Sequence, residues 1–306
     1  MAARLLLVLA ALLSPVLGYA GAHTGGGSVK RADTLMVIHA GRLLAVPGAE
    51  PLAEQTIIVR NDRIAAVEPG FTDPATLELG KREELIVVDL KSQFVLPGLM
   101  DAHVHLARAT GSYQLGLPQM NARPAPAEAA VNALVNARLS LAAGFTAVRD
   151  LGSDQHSVFA VRDAINAGKV IGPTIVASGT SIAVTAGHGA PPQSYAPDDR
   201  AAAGVCDGAD ECRTLVRHLE KTGSDLIKVK VTGGFSSNTG LRQHMTAEEM
   251  RAVVEAARLR GIKVAAHAYD PAAIIDALNA GVASIEHGFL LDAEGIRLMR
   301  KQNAFL

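Results

Sequence analysis

This sequence has almost no excess of positive or negative charge and few aromatic residues. Its 306 residues include 29 Lys and Arg against 30 Asp and Glu, a formal net charge of −1, and only 4% are aromatic. A nucleic-acid groove or a basic membrane-binding face would require a surplus of positive side chains, so the composition argues against both partners. Because 49% of the residues are hydrophobic, the chain can bury a large core, and small molecules are its expected ligands.

Apolar runs long enough to cross a membrane are also missing. The N-terminal run, Leu5–Leu13, is well short of the roughly 20 residues that a bilayer span requires. Arg4 precedes this run and small residues follow it, which is typical of a secretory signal peptide. We therefore predict a signal peptide over residues 1–22, with cleavage after Ala20 or Ala22. The mature protein would be exported, to the periplasm or the exterior, with no stable membrane span.

Only two cysteines are present, Cys206 and Cys212. Their spacing fits neither a four-ligand zinc site nor a redox Cys-x-x-Cys motif. In an exported protein the pair can close a small disulfide loop, and two free thiols are the alternative. Neither state makes these residues catalytic.

Short apolar segments and turn residues fill the region that ends near residue 96. Strands are predicted at Thr34–Ile38, Gly41–Leu44, Gln55–Val59, Arg63–Val67 and Leu85–Asp89. Hairpin turns are predicted between strands at Pro47-Gly48, Asn61-Asp62 and Pro69-Gly70. This region is therefore predicted to be a small all-β unit.

From residue 97 onward, apolar strands alternate with Ala-rich helices. The predicted strands are Gly98–Val104, Phe145–Asp150, Thr174–Ser178, Asp225–Val231, Lys263–Ala268 and Ala283–His287, and the main helices are Pro126–Ala143, Glu211–Lys221 and Ala247–Arg260. Such alternation indicates a parallel sheet covered on both faces, either a barrel or a doubly wound sheet. The sequence lacks a Gly-x-Gly-x-x-Gly motif after the first strand and a Walker sequence, so nothing supports nucleotide binding.

Four of the ten histidines lie at the C-terminal ends of predicted strands: His103, His105, His267 and His287. Residues two apart in a strand point to the same side, so His103 and His105 can hold one ion together. Imidazole is a common zinc ligand, and the active sites of barrels form at this end of the strands. The pattern therefore predicts a metal site. Arg149 and Asp150 end the second of these strands, and we predict a structural ion pair there.

Four segments resemble the metal-dependent amidohydrolase superfamily. They are Pro97–His105, Leu226–Gly234, Val264–Ala268 and Ser284–Gly288. Within the superfamily they are similar to the branch of imidazolonepropionase-related enzymes and Xaa-Pro dipeptidases, or prolidases. The resemblance implies a (β/α)8 barrel of the TIM type, with a small β-sandwich built from segments on both sides of it.

The resemblance also implies a set of site residues. One or two divalent metals, most often zinc, would be held by His103, His105, His267 and His287. In dinuclear members a carboxylated lysine on the fourth strand bridges the metals. Lys228 matches that position, and Lys230 is the competing candidate because it points to the same side of the strand. His188 resembles a substrate-contacting histidine of these peptidases, and a loop residue without a role is the alternative.

The implied activity is hydrolysis of an amide or peptide bond by a metal-bound hydroxide. The substrate would be an Xaa-Pro-type dipeptide or an N-acyl amino acid. A mononuclear, imidazolonepropionase-like cyclic amidohydrolase is one alternative. The other is a truncated, catalytically incompetent member, because the aspartate that ends strand 8 in the family has no counterpart before the sequence stops.

The expected organisation follows from these observations. We predict a signal peptide over residues 1–22, a flexible leader over residues 23–32, a β-sandwich segment over residues 33–96 and a hydrolase barrel over residues 97–306. The barrel is expected to be incomplete, with about six βα units and the start of a seventh strand. The sequence does not predict the oligomeric state, and a homo-oligomer is one of the states left open.

Overall fold

A computed structural model describes residues 33–111, 124–190, 203–235, 237 and 239–306. The predicted signal peptide and leader lie outside these residues. The chain divides into two compact units, with the boundary between Gly98 and Leu99. In the described part of the chain, no helix has the length and hydropathy needed to cross a bilayer.

The first unit contains one four-stranded sheet. Its strands are β1 (Asp33–Leu43), β2 (Leu52–Arg60), β3 (Arg63–Pro69) and β4 (Glu83–Val95), with a 3-10 turn at Pro74–Thr76. The strand order is β3-β2-β1-β4; β1 and β3 run antiparallel to β2, and β4 runs parallel to β1. The predicted hairpin turns between β1 and β2 and between β2 and β3 are confirmed.

Two predictions for this unit are wrong. The segments Thr34–Ile38 and Gly41–Leu44 were predicted as two strands, but they form the single strand β1. Gly41 lets β4 approach closely, because a Cβ at this position would overlap the Lys91 carbonyl. Pro69-Gly70 does not form a hairpin. After Pro69 the chain crosses over and adds β4 beside β1, parallel to it.

The second unit is mixed α/β, as predicted. Its strands are β5 (Leu99–Val104), β6 (Phe145–Asp150), β7 (Thr174–Ala177), β8 (Ile227–Lys230), β9 (Val264–Ala268) and β10 (Ser284–His287). Its helices are α1 (Pro126–Ala142), α2 (Gln155–Asn166), α3 (Ala209–Thr222), α4 (Ala247–Arg258), α5 (Pro271–Ala280) and α6 (Ala293–Gln302). The strands form two parallel three-stranded sheets, β5-β6-β7 and β8-β9-β10. A single bridge, Ile182 to Val229, joins the segment after β7 to β8.

Local sequence signals fix where the helices begin and end. At the start of α4, the Glu249 amide donates to the Thr246 hydroxyl over 3.2 Å, and the Thr246 amide donates to the Glu249 carboxylate over 2.8 Å. This is the capping box predicted from the sequence. Helix α5 ends at Gly281, whose φ of 99° lies in the left-handed region that glycine adopts without strain.

The larger core of the second unit packs helices α3, α4 and α5 against the β8-β9-β10 sheet. Ile227, Val253 and Leu278 are among the fully buried side chains that fill it. Cys206 and Cys212 belong to the same core and are joined by a disulfide. Of the two states predicted for these cysteines, the disulfide is therefore the one present.

Candidate active site

The four strand-end histidines come together at one end of the second unit. The ring centroid of His103 lies 5.3 Å from that of His105 and 4.9 Å from that of His287. The rings of His267 and His287 are 4.6 Å apart. His103 lies on β5, His105 directly follows it, and His267 and His287 lie on β9 and β10, so both parallel sheets contribute to the cluster. The cluster forms because the carboxyl ends of parallel strands meet on one side.

Backbone carbonyls fix the tautomers of two of these histidines. His105 donates from Nδ1 to the Gly152 carbonyl over 2.9 Å, and His267 donates from Nε2 to the Gly233 carbonyl over 2.9 Å. A carbonyl oxygen can only accept, so each ring must carry its proton on the bonded nitrogen. The lone pair is then on Nε2 of His105 and on Nδ1 of His267, which is the arrangement of histidines that bind metals.

Burial also favours the neutral form of three of these imidazoles. It lowers the pKa of His105 well below its ordinary value, and it lowers the pKa of His267 as well. The pKa of His287 falls to about 4, first because of burial and then because of the positive charge of Lys228. Neutral imidazole is the form that can bind a metal.

Lys228, on β8, lies near the histidine cluster in an unusual environment. Its side chain is 2% exposed, and Nζ has no hydrogen-bond partner among the described residues. Burial lowers the pKa of this amine to about 7, although the nearby Glu286 carboxylate opposes that effect. Lys230 differs, because its side chain is only half-buried and lies against Gly189. The two candidate lysines therefore occupy distinct surroundings.

His188 also lies beside the cluster. Its ring stacks on that of His267, with centroids 4.5 Å apart and planes 23° from parallel. Its Nδ1 is 2.5 Å from the Ser237 hydroxyl, and burial lowers its pKa to about 3. Gly234 packs on the ring so closely that a Cβ there would lie 2.8 Å from it. The structure thus brings all six predicted site residues into one region.

Comparison with known proteins identifies the family. A model of the Amidohydrolase family matches residues 94–306, more than half of the chain. The chain belongs to this family. The amidohydrolase is 31% identical to ochratoxinase of Aspergillus niger over 290 residues, which cover 87% of this chain and 57% of the relative. The chain therefore spans little more than half the length of the curated relative.

Solved structures place the amidohydrolase near prolidases. A Xaa-Pro dipeptidase with methionine bound in its active site matches with a TM-score of 0.79 and 34% identity, covering 89% of this chain and 66% of that one. A prolidase in complex with N-methylphosphonate-L-proline matches with a TM-score of 0.75 and 29% identity, covering 89% and 65%. The predicted resemblance to the prolidase-like branch is confirmed.

Sequence reasoning missed an acidic residue of the amidohydrolase site, Glu286. Its Oε2 accepts a hydrogen bond from Nδ1 of His103 over 2.9 Å, and its Oε1 pairs with Nη2 of Arg149 over 2.7 Å. Strand alternation predicts that Glu286 and His287 point to opposite sides. His287 has a φ of 71°, so the chain leaves the extended conformation there and both side chains contact His103. The sequence signal that could have identified Glu286 is its position directly before a histidine that was predicted to bind metal.

The predicted ion pair between Arg149 and Asp150 is wrong. Neighbouring residues of a strand point to opposite faces, so Arg149 reaches Glu286 while Asp150 turns the other way. Asp150 is fully buried and accepts hydrogen bonds from the Leu106 amide over 2.6 Å and from the Ser153 hydroxyl over 2.7 Å. It also accepts from the amide of Gly152, whose carbonyl orients His105.

The donor chemistry of the site fits a divalent ion. Among the residues that the structure describes, no three His, Cys, Asp or Glu side chains are already grouped as ligands. However, His105 and His267 have defined tautomers that leave one ring nitrogen of each free to bind a cation, and the nearby Lys228 amine is buried with no hydrogen-bond partner in the described part of the chain. The ligand set itself stays a prediction.

Proposed function

We propose that this amidohydrolase cleaves an amide or peptide bond of a small substrate with the help of one or two divalent metals. The substrate class is an Xaa-Pro-type dipeptide or an N-acyl amino acid. The observation that carries the proposal is a cluster of four histidines beside a buried lysine whose Nζ has no hydrogen-bond partner among the described residues. The solved relatives support it, because one is a Xaa-Pro dipeptidase and another is a prolidase bound to a proline phosphonate.

The metal ligands in this proposal come from both sheets of the second unit. They are His103, His105, His267, His287 and Lys228. A divalent ion held there would polarise a substrate carbonyl and lower the pKa of a coordinated water. Zinc suits a set dominated by imidazole nitrogens.

Lys228 is proposed to act in a carboxylated form. An ammonium group has no lone pair and would repel a divalent cation. The neutral amine can instead attack the carbon of CO2, form an N–C bond and release one proton. The resulting carbamate carries a negative charge on two oxygens, so it can bridge two ions. The buried position of Nζ, which has no hydrogen bond to any of the described residues, supports this modification.

His188 is proposed to contact the substrate. Its Nδ1 is engaged with Ser237, so Nε2 is the nitrogen available to a polar group of the substrate. The stacking on His267 and the tight packing of Gly234 hold the ring in place beside the proposed metal ligands. Such fixed positioning is what orients a substrate for attack.

Export is a further part of the proposal. Two observations support it: the signal-like N-terminal sequence, and the disulfide between Cys206 and Cys212. Disulfides persist mainly in oxidising compartments such as the periplasm and the exterior.

Metal analysis combined with an activity screen tests the proposed chemistry. We expect about two zinc ions per chain and hydrolysis of Xaa-Pro dipeptides or N-acyl amino acids in a panel that also contains cyclic amides and lactones. Activity on imidazolone-type rings alone would contradict the dipeptide assignment. One metal per chain with an unmodified lysine would favour the mononuclear alternative.

Two lysine variants refine the same experiment. Lys228→Ala is expected to lose one metal and most of the activity, whereas Lys230→Ala serves as the matched control and keeps its metal content. Circular dichroism spectra of both variants serve to check that they are folded. The reverse result would assign the carboxylated position to Lys230.

A further inference from the structure

Three aromatic side chains form a cluster beside the histidines, and sequence reasoning did not single them out. The ring of Phe235 lies 5.0 Å from that of Tyr269 and 6.1 Å from that of Phe289, both edge-to-face. The rings of Tyr269 and Phe289 are 5.8 Å apart. We call Phe235, Tyr269 and Phe289 the aromatic triad.

The aromatic triad follows three of the four strands that provide the proposed metal ligands, β8, β9 and β10. Phe235 lies in the loop after β8, which carries Lys228. Tyr269 and Phe289 come two residues after His267 and His287. The triad thus forms a layer next to the histidines at the strand ends.

One member of the triad joins this layer to the histidines directly. The Tyr269 ring stacks on His287, with centroids 5.2 Å apart and planes within 2° of parallel. It also meets His267 edge-on at 4.9 Å. Tyr269 is only 5% exposed, so it forms the fixed base of the triad.

The other two rings are open to solvent. Phe235 is 65% exposed and Phe289 is 72% exposed. Rings exposed to that degree contribute little to folding, because the stabilisation from an apolar side chain scales with the area removed from water. Adjacent exposed apolar side chains next to a polar cluster are typical of a ligand-binding surface. Their concentration here is notable because the sequence has only seven Phe and four Tyr.

We propose that the aromatic triad binds an aromatic ring of the substrate next to the bond that is cleaved. This inference rests on the proposed function and narrows its substrate class to small amides that carry an aromatic side chain. An aromatic ring of the substrate lying against the exposed sides of Phe235 and Phe289 would remove both from water. Aromatic rings favour the offset and edge-to-face geometries that the triad already shows.

Two matched pairs of substrates test the proposal: Phe-Pro against Gly-Pro, and N-acetylphenylalanine against N-acetylglycine. We expect a ratio of kcat/KM of about 10 in favour of the aromatic member of at least one pair. In Phe235→Ala and Phe289→Ala this ratio is expected to fall to about 1 to 3. Phe94→Ala, an exposed position on β4, is the matched control and keeps the ratio of the wild-type protein.

Calorimetric binding of N-acetylphenylalanine and N-acetylglycine separates this inference from the proposed function. If none of the four compounds is hydrolysed, the proposed function fails, but tighter binding of the aromatic compound that is lost in Phe235→Ala still supports the triad. Equal affinity and equal rates within each pair would overturn the inference. If Phe235→Ala and Phe289→Ala lowered kcat/KM by the same factor for both members of each pair, the inference would also be overturned.

Discussion

Glu286 satisfies three polar groups of the second unit at once. It accepts hydrogen bonds from His103, Arg149 and Ser284 at 2.9, 2.7 and 2.6 Å. Burial raises the pKa of this carboxyl, but the His103 bond, the charge of Lys228 and the other partners outweigh that effect and lower the pKa to about 2. The ionised carboxylate keeps the His103 proton on Nδ1, so the lone pair is on Nε2.

This contact predicts that Glu286→Gln weakens metal binding. The amide is close in size to the carboxylate, but it lacks the charge that fixes the tautomer of His103 and pairs with Arg149. Replacing such a partner of a metal ligand typically lowers metal affinity about 10- to 100-fold, and we expect a loss in that range for zinc in competition with a chelator. Glu294→Gln removes an exposed carboxylate paired with Arg297 and is the control. Equal zinc affinity in both variants would show that Glu286 does not position His103.

For individual site residues, the most informative sequence signal was a pair of histidines two positions apart at a strand end. The spacing of His103 and His105 placed both on one side of β5, and the structure brings them together with His287. Glu286 was missed because the left-handed backbone at His287 breaks the alternation on which that reasoning depends. A single dihedral angle of this kind leaves no mark in the sequence unless a glycine occupies the position.

Helix α4 is the element whose local sequence defines it most clearly. Thr246→Ala removes the hydroxyl that caps the helix and leaves the Glu249 amide without its partner. We expect a loss of about 1 kcal/mol in the free energy of unfolding, measured by chemical denaturation. Thr214→Ala, at an exposed position inside α3, is the control and is expected to change stability by less than about 0.5 kcal/mol. Equal stability of the two variants would mean that the cap contributes nothing.

Elements were predictable where the pattern is local. All six strands and three helices predicted for the second unit are present, with ends within two residues of those predicted. The first unit was less predictable because its features depend on partners distant in sequence. Gly41 resembles a turn residue, yet the contact that requires it is with Lys91 on β4. The crossover that places β4 beside β1 likewise depends on sheet pairing.

At the scale of the second unit, the proposed metal site connects its two sheets. His103 lies on β5 of the β5-β6-β7 sheet and His105 directly follows that strand, whereas Lys228, His267 and His287 lie on the β8-β9-β10 sheet. Among the described residues, Glu286 of β10 links the two sheets at the site through its hydrogen bonds to His103 of β5 and Arg149 of β6. An ion held by ligands from both sheets would add a stronger connection, and it would be lost when the unit unfolds.

Zinc is therefore expected to stabilise the folded protein. A ligand that binds only the folded state at 100 times its dissociation constant adds about 2.7 kcal/mol, which corresponds to a rise in Tm of about 5 to 10 °C for a unit of this size. Scanning calorimetry of the chelated protein with and without added zinc measures the shift. Magnesium is the control and should have little effect, because it prefers oxygen ligands to imidazole. An unchanged Tm with zinc would contradict the proposed site, whereas a smaller rise in Lys228→Ala than in the wild-type protein would assign part of the stabilisation to the lysine.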